Sequence, residues 1–276
     1  MFRYLRDVVM TTKQRRTYPP KGDLQTKTEN LNMKNGKADN IYAENNFNAS
    51  GFVFNDEVAE VFPDMIQRSV PGYAQTLDII EVVAATFAVP STNCYDLGCS
   101  LGAGALRMEK ATIGKKCDII AVDNSKPMIK RLSENLRKLP FETRIQPIFA
   151  DLLDLRMRNA SFAAMSYTLQ FIPLEQRLKL LKIVRSAMIP RAAFVLSEKV
   201  AFESQAESQI MNTLHLEFKR LNGYSELEIA RKRIALENVL VPETIETHLD
   251  RLESVGFSEV FLAMRHLNFA TFVAVN

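Results

Sequence analysis

The chain has 276 residues, 47% of them hydrophobic, enough to bury one substantial α/β core with appendages. Its 35 Lys and Arg against 32 Asp and Glu leave a net charge of +3, too slight to require nucleic acid as a partner, so any anion must be met by a local cluster. No apolar run is long enough to cross a bilayer and Met1-Phe2-Arg3-Tyr4-Leu5-Arg6-Asp7 lacks the apolar core of a secretory signal, so a soluble, cytoplasmic protein without a membrane partner is expected.

Residues 1–51 start basic, with Lys13, Arg15, Arg16 and Lys21, and hold seven asparagines between Lys21 and Ser50 with few large apolar residues. Such a stretch buries too little surface to offset its ordering entropy, so it is expected to be a disordered or loosely docked extension. Asp7, Asp23 and Glu29 dilute the pattern of an organelle transit peptide. Order begins near Phe52. Asn55 caps a short helix through Val58, Ala59, Val61 and Phe62 that Pro63 breaks or restarts, and Pro71-Gly72 turns into an apolar-periodic helix, Ala74 to Phe87. These helices form a lid ahead of the first strand.

A strand from Asn93 to Leu97 then runs into Gly98-Cys99-Ser100-Leu101-Gly102-Ala103-Gly104 and a helix to about Thr112. A second strand, Asp118 to Val122, ends on Asp123-Asn124, about twenty residues further on. Glycines at a strand-to-helix turn accept backbone angles forbidden to other residues and let main-chain N–H groups approach a ligand, while an acid at the next strand tip can bind ribose hydroxyls. Packing of helix on sheet alone would also explain the glycines. Ser100 replaces the middle glycine of a dinucleotide fingerprint, which disfavours a pyrophosphate and is tolerable for S-adenosyl-L-methionine (SAM), which has no phosphate.

Onward the pattern gives a helix from Lys126 to Leu139, strands Arg144 to Phe149 and Ser161 to Tyr167, a helix from Leu174 to Met188 and a strand from Ala192 to Leu196. Strands alternating with such helices imply parallel βαβ units with ligands at the strands' carboxyl ends, where Asp151 and Ser166-Tyr167 also fall. A helical insert follows over about 203–238, then a helix opened by Pro242. Two apolar runs, Phe257 to His266 and Asn268 to Val275, lie too close for a crossover and should form an antiparallel hairpin. The fold expected is α/β, a Rossmann-like SAM-dependent methyltransferase fold, with a seven-stranded mostly parallel sheet. The domain spans 52–276. Cys94, Cys99 and Cys117 lie in or beside strands and read as reduced packing residues, with only the backbone of Cys99 functional; His215, His248 and His266 are too scattered for a zinc site, and no metal is expected.

Several strings narrow this further. Glu57 to Tyr73, Tyr95-Asp96-Leu97-Gly98-Cys99-Ser100-Leu101-Gly102, Thr168-Leu169-Gln170-Phe171, Leu196-Ser197-Glu198-Lys199, Phe218-Lys219-Arg220 and Asn222 to Ile229 strongly resemble the carboxy-S-adenosyl-L-methionine synthases, in one register from about residue 52 to the end. The resemblance implies transfer of a carboxyl group from prephenate to the methyl carbon of SAM, with release of phenylpyruvate and carboxy-S-adenosyl-L-methionine as product, which supplies wobble-uridine modification of tRNA by a separate enzyme. It also implies a homodimer built partly on the helical insert and no direct tRNA binding. Position by position it implies Tyr73 closing over the cofactor, Gly98, Cys99 and Ser100 on its amino-acid portion, Asp123 and Asn124 on the ribose, Asp151 and Leu152 beside the adenine, and Arg233, the one catalytic assignment, paired with the transferred carboxylate. Taken alone, Arg231-Lys232-Arg233 would read as a solvated helix face. The chain departs from the family pattern in Ser166, where an asparagine contacts the ligand, in Leu152 for an isoleucine, and in Ile189-Pro190-Arg191-Ala192, where a loop carries two glycines. The alternatives are a SAM-dependent O-methyltransferase of a small molecule and a non-catalytic SAM-binding relative. Ser166-Tyr167-Thr168-Leu169 lacks the Asp/Asn-Pro-Pro-aromatic motif of amino-methylating enzymes that act on planar bases.

Overall fold

The computed structural model describes residues 37–43, 51–139 and 143–276. Two helices, α1 (Asp56–Ser69) and α2 (Tyr73–Phe87), precede strand β1 (Asn93–Leu97). Then come α3 (Ala103–Ala111), β2 (Asp118–Asp123), α4 (Lys126–Arg137), β3 (Ile145–Phe149), β4 (Ala160–Ser166), a single 3₁₀ turn (Leu169–Phe171), α5 (Leu174–Ala187) and β5 (Met188–Lys199). The chain closes with α6 (Gln205–Leu221), α7 (Glu226–Leu236), α8 (Ile245–Ser254), β6 (Glu259–His266) and β7 (Phe269–Val275).

The strands form one seven-stranded sheet in the order β3-β2-β1-β4-β5-β7-β6. The pairs among β1 to β5 are parallel, and β7 runs antiparallel to both β5 and β6, as the near-absence of a linker before β7 requires. Side chains alternate between two covered faces. Tyr95 and Leu97 of β1, Met165 of β4 and Phe194 and Leu196 of β5 pack with Leu180, Leu181 and Val184 of α5 and Leu252 of α8. Cys94, Phe162, Ala164 and Val195 face the other way, onto Ile80 and Ala84 of α2, Met108 of α3 and Leu132 of α4. Burial on both faces is why these strands read as continuous apolar runs.

Three expectations are corrected. Asn55 does cap α1, its Oδ1 accepting from the Val58 N–H at 2.9 Å, but the helix continues through Pro63. Val58, Ala59, Val61 and Met65 lie on both sides of the proline and pack against Met128, Phe54 and Leu101, which outweighs the one backbone bond the ring removes. The stretch before Ala192 is not a separate loop, because β5 already starts at Met188. Its register against β4 shifts between Ala160 and Phe162, Arg191 takes the left-handed angle (φ 64°) that the family's glycines would adopt freely, and Asn276 ties the irregularity down through Nδ2 to the carbonyls of Met188 (3.1 Å) and Ile189 (2.8 Å). Finally, residues 1–36 and 44–50 of the expected loose extension lie outside the described residues, but 37–43 are ordered onto the domain. Asp39 is buried, with its N–H on Asp64 Oδ2 (2.7 Å) and its carboxylate on the Tyr224 hydroxyl and Lys232 Nζ, and Arg231 donates to the Tyr42 carbonyl at 2.9 Å.

Candidate active site

The parallel register brings the carboxyl ends of β1, β2 and β4 level, Leu97 pairing with both Val122 and Met165. After β1 the chain turns sharply, and the N–H groups of Gly98 and Cys99 both donate to the Val122 carbonyl (2.8 and 2.9 Å). Gly98 is in the left-handed region (φ 77°), and a Cβ there would sit 2.1 Å from Thr168 Oγ1, so the β4 loop closes against bare backbone. A Cβ on Gly104 would meet Asp96 Oδ2 at 2.9 Å, the oxygen that accepts from the Ala105 N–H at 2.7 Å. These two glycines therefore serve close packing inside the protein as well as the shape of the turn. Ser100 also takes a left-handed angle (φ 47°), and its N–H donates to Asp123 Oδ2 at 2.8 Å. Asp123 Oδ1 accepts from the Ser125 N–H at 2.8 Å, so one carboxylate joins the β1 and β2 turns. Backbone strain of this kind persists where surrounding bonds over-determine it, and it recurs at ligand-binding turns.

Burial raises the pKa of Asp123 above the ordinary carboxylate value, against its two N–H donors. Asp96, fully enclosed behind it, is pushed up to about 7 by burial and, more weakly, by the neighbouring Asp123 charge. Tyr73, the first residue of α2, sets its ring 6.3 Å from that of Tyr167, which itself has a left-handed backbone (φ 57°) and hydrogen-bonds Thr76 Oγ1 at 2.8 Å. Burial drives both phenols well above their usual value, so at neutral pH they act as donors and not as bases.

Asn124 and Asp151 are exposed at the strand tips, with Asp151 Oδ1 accepting from the Leu153 N–H at 2.8 Å. Leu152 is buried in the core, which leaves only its main chain for a ligand. Ser166 ends β4 with a buried hydroxyl that has no hydrogen-bond partner among the described residues. An orphaned polar atom at the tip of β4 and a pre-bonded carboxylate at the tip of β2, flanking the glycine turn of β1, fit a ligand that completes their bonding. Ser166→Ala is accordingly expected to leave the melting temperature of the ligand-free protein unchanged or higher, because no protein bond is lost. In titration calorimetry it should weaken SAM by roughly fivefold, about 1 kcal/mol; unchanged affinity would remove the hydroxyl from the ligand's surroundings. Arg233 stands apart: it lies in the last turn of α7, is exposed, and makes no hydrogen bond or ion pair with any described residue. Its charge nonetheless reaches Lys219 of α6.

Three groups at this end of the sheet carry no role in the sequence reading. Asp96 stands inside the glycine string, and only its depth marks it out. Glu198, at the end of β5, is fully buried and accepts from the N–H groups of Thr168 (3.2 Å), Leu169 (2.8 Å) and Gln170 (2.9 Å), shaping the loop that faces Gly98. Lys219 is held down to about 7 by burial first, then by Lys232, Lys199 and Arg233. Lys and acid patterns in sequence do not reveal such burial.

An open sheet with this strand order, a glycine turn after β1, an acidic tip on β2 and a terminal antiparallel hairpin defines the class of SAM-dependent methyltransferases. Residues 95–191 match the family model described as a methyltransferase domain. Solved structures of the same fold include human N-acetylserotonin methyltransferase in complex with SAM (13% identity, TM-score 0.56, covering 80% of this chain and 55% of that one). Another is magnesium protoporphyrin IX methyltransferase from Synechocystis PCC 6803 with bound SAH (16%, TM-score 0.52, 74% and 84%). Much closer in sequence are carboxy-S-adenosyl-L-methionine synthases: that of Stutzerimonas stutzeri is 46% identical over 245 residues, 86% of this chain and 98% of the relative. That of Shewanella putrefaciens is 46% identical over 241 residues, 87% and 99%. The chain belongs to the carboxy-S-adenosyl-L-methionine synthase family, and SAM is its cofactor.

Proposed function

We propose that this protein makes carboxy-S-adenosyl-L-methionine from SAM and prephenate and releases phenylpyruvate. The observation that carries the reading is an excess of cations beside a cleft built for a sulfonium. Lys199, Lys232 and Arg233 all lie within electrostatic reach of Lys219, and among the described residues the one carboxylate bonded to any of the four is Asp39, on Lys232. SAM's own carboxylate belongs to its amino-acid end and a methyl acceptor need carry no charge, whereas a carboxyl donor and a carboxylated product both bring an anion to the reacting end. In the reaction, prephenate gives up its ring carboxyl group and expels hydroxide as the ring becomes aromatic; a methyl C–H bond of SAM breaks, the new C–C bond forms to the carboxyl carbon, and proton and hydroxide leave as water.

The protein's part in this is position and exclusion of water more than acid–base chemistry. Asp123 and the glycine turn fix the nucleoside end, Asp151 and the main chain of Leu152 border the base, Ser166 meets the ligand from the tip of β4, and the Tyr73–Tyr167 pair closes over the reacting end. Arg233 answers the charge that the product carries and SAM lacks.

The direct test is to incubate the purified protein with SAM and prephenate and follow both products by mass: carboxylated SAM and phenylpyruvate in equal amounts are expected, and methylated product or no product rejects the reading. Protein as purified should release carboxylated SAM on denaturation. Arg233→Ala is expected to shift the released ligand toward plain SAM by about ten- to a hundredfold, the worth of one charge-assisted bond. An unchanged ratio would remove Arg233 from this role.

The same reading makes the product a donor for wobble-uridine modification of tRNA by another enzyme, in the cytoplasm and without tRNA binding here. No helix among the described residues is long and apolar enough to cross a membrane. A homodimer through the helical insert is supported by the large apolar side chains that α6 and α7 leave exposed, among them Ile210, Leu214, Leu227 and Ile234.

A further inference from the structure

Beyond Arg233, the cationic cluster has an internal arrangement that the transferred carboxylate alone does not explain. Lys199 follows Glu198 at the carboxyl end of β5 and pairs across the sheet with Phe269 of β7. The Phe269 ring meets Tyr167 edge-on at 5.8 Å on one side and His215 at 5.1 Å on the other. Tyr73, Tyr167, Phe269 and His215 thus form a continuous aromatic wall from the cofactor end of the cleft to α6. His215 is locked neutral at the end of it: Ser69 O lies 2.9 Å from Nε2, Asn268 Nδ2 lies 3.3 Å from Nδ1, and burial pushes its pKa down to about 3.

Lys219 comes one helical turn after His215, so it projects from the same side of α6. Lys232 is already spoken for, with its Nζ on Ser69 Oγ (2.9 Å), the Tyr224 hydroxyl (3.3 Å) and Asp39 Oδ2 (3.4 Å). Lys199 and Lys219 are not: their ammonium groups make no hydrogen bond or ion pair with any described residue, although both are desolvated enough to have their pKa values lowered. Two partly buried ammonium groups within electrostatic reach of each other and without a counter-ion among the described residues are costly, and proteins normally pair or discharge them.

We propose that Lys199 and Lys219 seat the carboxylate that the carboxyl donor keeps, with the donor's ring lying on the Tyr73–Tyr167–Phe269 wall and its departing carboxylate turned toward SAM. The assignment of ends follows from the chemistry. A carboxylate about to leave as carbon dioxide must surrender its charge, so a tight double ion pair on it would stabilise the ground state and slow the reaction. The carboxylate of the α-keto acid end stays charged throughout, and pairing it binds substrate without opposing the step. This inference rests on the reading of the reaction given above.

The test is steady-state kinetics on the full chain with Lys219→Met, Lys219→Arg and Lys199→Met, alongside SAM affinity by calorimetry. Lys219→Met keeps the apolar stem and removes the charge. It should raise KM for prephenate about 10- to 100-fold and leave SAM affinity within twofold, and Lys219→Arg should recover most of the loss. With Lys219 titrating near neutrality among Lys199, Lys232, Arg233 and neutral His215, the wild-type KM should climb as pH rises above about 7, and that rise should vanish in Lys219→Arg. Phenylpyruvate, which retains only the second carboxylate, separates this inference from the reaction itself. It should raise the melting temperature of the SAM-loaded wild type but not of Lys219→Met, even if prephenate is not turned over. A wild type indifferent to phenylpyruvate, an unchanged KM in Lys219→Met, or a parallel loss of SAM affinity overturns the proposal. Should Lys219→Met lose its cooperative melt, Lys199→Met decides by the same readouts.

Discussion

Asp123→Ala is expected to weaken SAM and carboxylated SAM by at least a hundredfold while costing the fold far less. The carboxylate has two jobs that fail together. Toward the protein it accepts the Ser100 N–H on one oxygen and the Ser125 N–H on the other, both at 2.8 Å, which holds the left-handed angle of Ser100 and the cap of α4. In the proposed binding mode its remaining lone pairs accept from the ribose hydroxyls, each charge-assisted bond being worth about 1.5 to 3 kcal/mol. Losing two of them, with a turn no longer held ready, exceeds the roughly 2.7 kcal/mol that a hundredfold in affinity represents. Asp123→Asn should fare little better, since an amide can offer an acceptor to only one of the two N–H groups and sets its own N–H against the other.

Stability should suffer less because a like charge disappears from beside buried Asp96, whose pKa of about 7 then falls. Ser125 also keeps its own bonds, accepting from Met128 N and donating to the Phe54 carbonyl. Calorimetric titration of SAM together with thermal melts of the empty protein checks both halves. An affinity within fivefold of wild type would show that the nucleoside is anchored elsewhere.

What could be read from the chain followed the range over which each feature acts. The turn after β1 and the acid at the tip of β2 are fixed by neighbours in sequence, so Gly98, Ser100 and Asp123 were visible as a unit, and the short gap before β7 fixed an antiparallel end. Pro63 misled because a local rule for ending helices lost to packing of Val58 and Met65 on the distant Met128. Arg191 misled for the opposite reason: its left-handed angle is sustained by Asn276, at the other end of the chain. Asp39 sits in a polar, asparagine-rich stretch that gives no sign of burial, yet it meets Tyr224 and Lys232 nearly two hundred positions away. Lys219 was hidden in the same manner, since what distinguishes it from a surface lysine is the company of Lys199 and Lys232 and not anything adjacent to it.

Glu198→Ala should be among the most destabilising single changes outside the hydrophobic core, by about 3 to 5 kcal/mol. The side chain is wholly enclosed, and its carboxylate takes three successive N–H groups, Thr168 and Leu169 on Oε1 and Gln170 on Oε2, which are the open donors of the 3₁₀ turn Leu169–Phe171. The carbonyl end of that turn is met by fully buried Arg177, whose Nη2 donates to Gln170 O at 3.1 Å and whose Nε donates to Ile172 O at 2.9 Å. The turn is therefore bracketed by a buried carboxyl acceptor at its N–H end and a cation at its carbonyl end, the latter in the sense that peptide dipoles favour. Removing the carboxyl group leaves up to three buried donors without partners, each costing about 1 to 3 kcal/mol.

Glu198→Gln distinguishes charge from shape. Its oxygen can still serve Thr168 and Leu169, but its NH₂ must then confront the Gln170 N–H, so a loss of about 2 kcal/mol is expected. The sign of the pH dependence provides a second check. Burial raises the Glu198 carboxyl to about 8 in the folded protein against an unperturbed value of 4.5, so between these limits the native state holds the proton more tightly than the unfolded chain. The stability it contributes is complete below about 4.5 and is lost as pH climbs through 8, and this slope should be absent in Glu198→Gln. Because Thr168 presses on Gly98, loosening the bracket should also weaken SAM, tying the fold's buried acid to the ligand's floor. Chemical denaturation of both variants at pH 5 and pH 8, with SAM titrated at each, measures all three effects, and a Glu198→Ala protein as stable as wild type would mean that the turn holds its shape without the carboxylate.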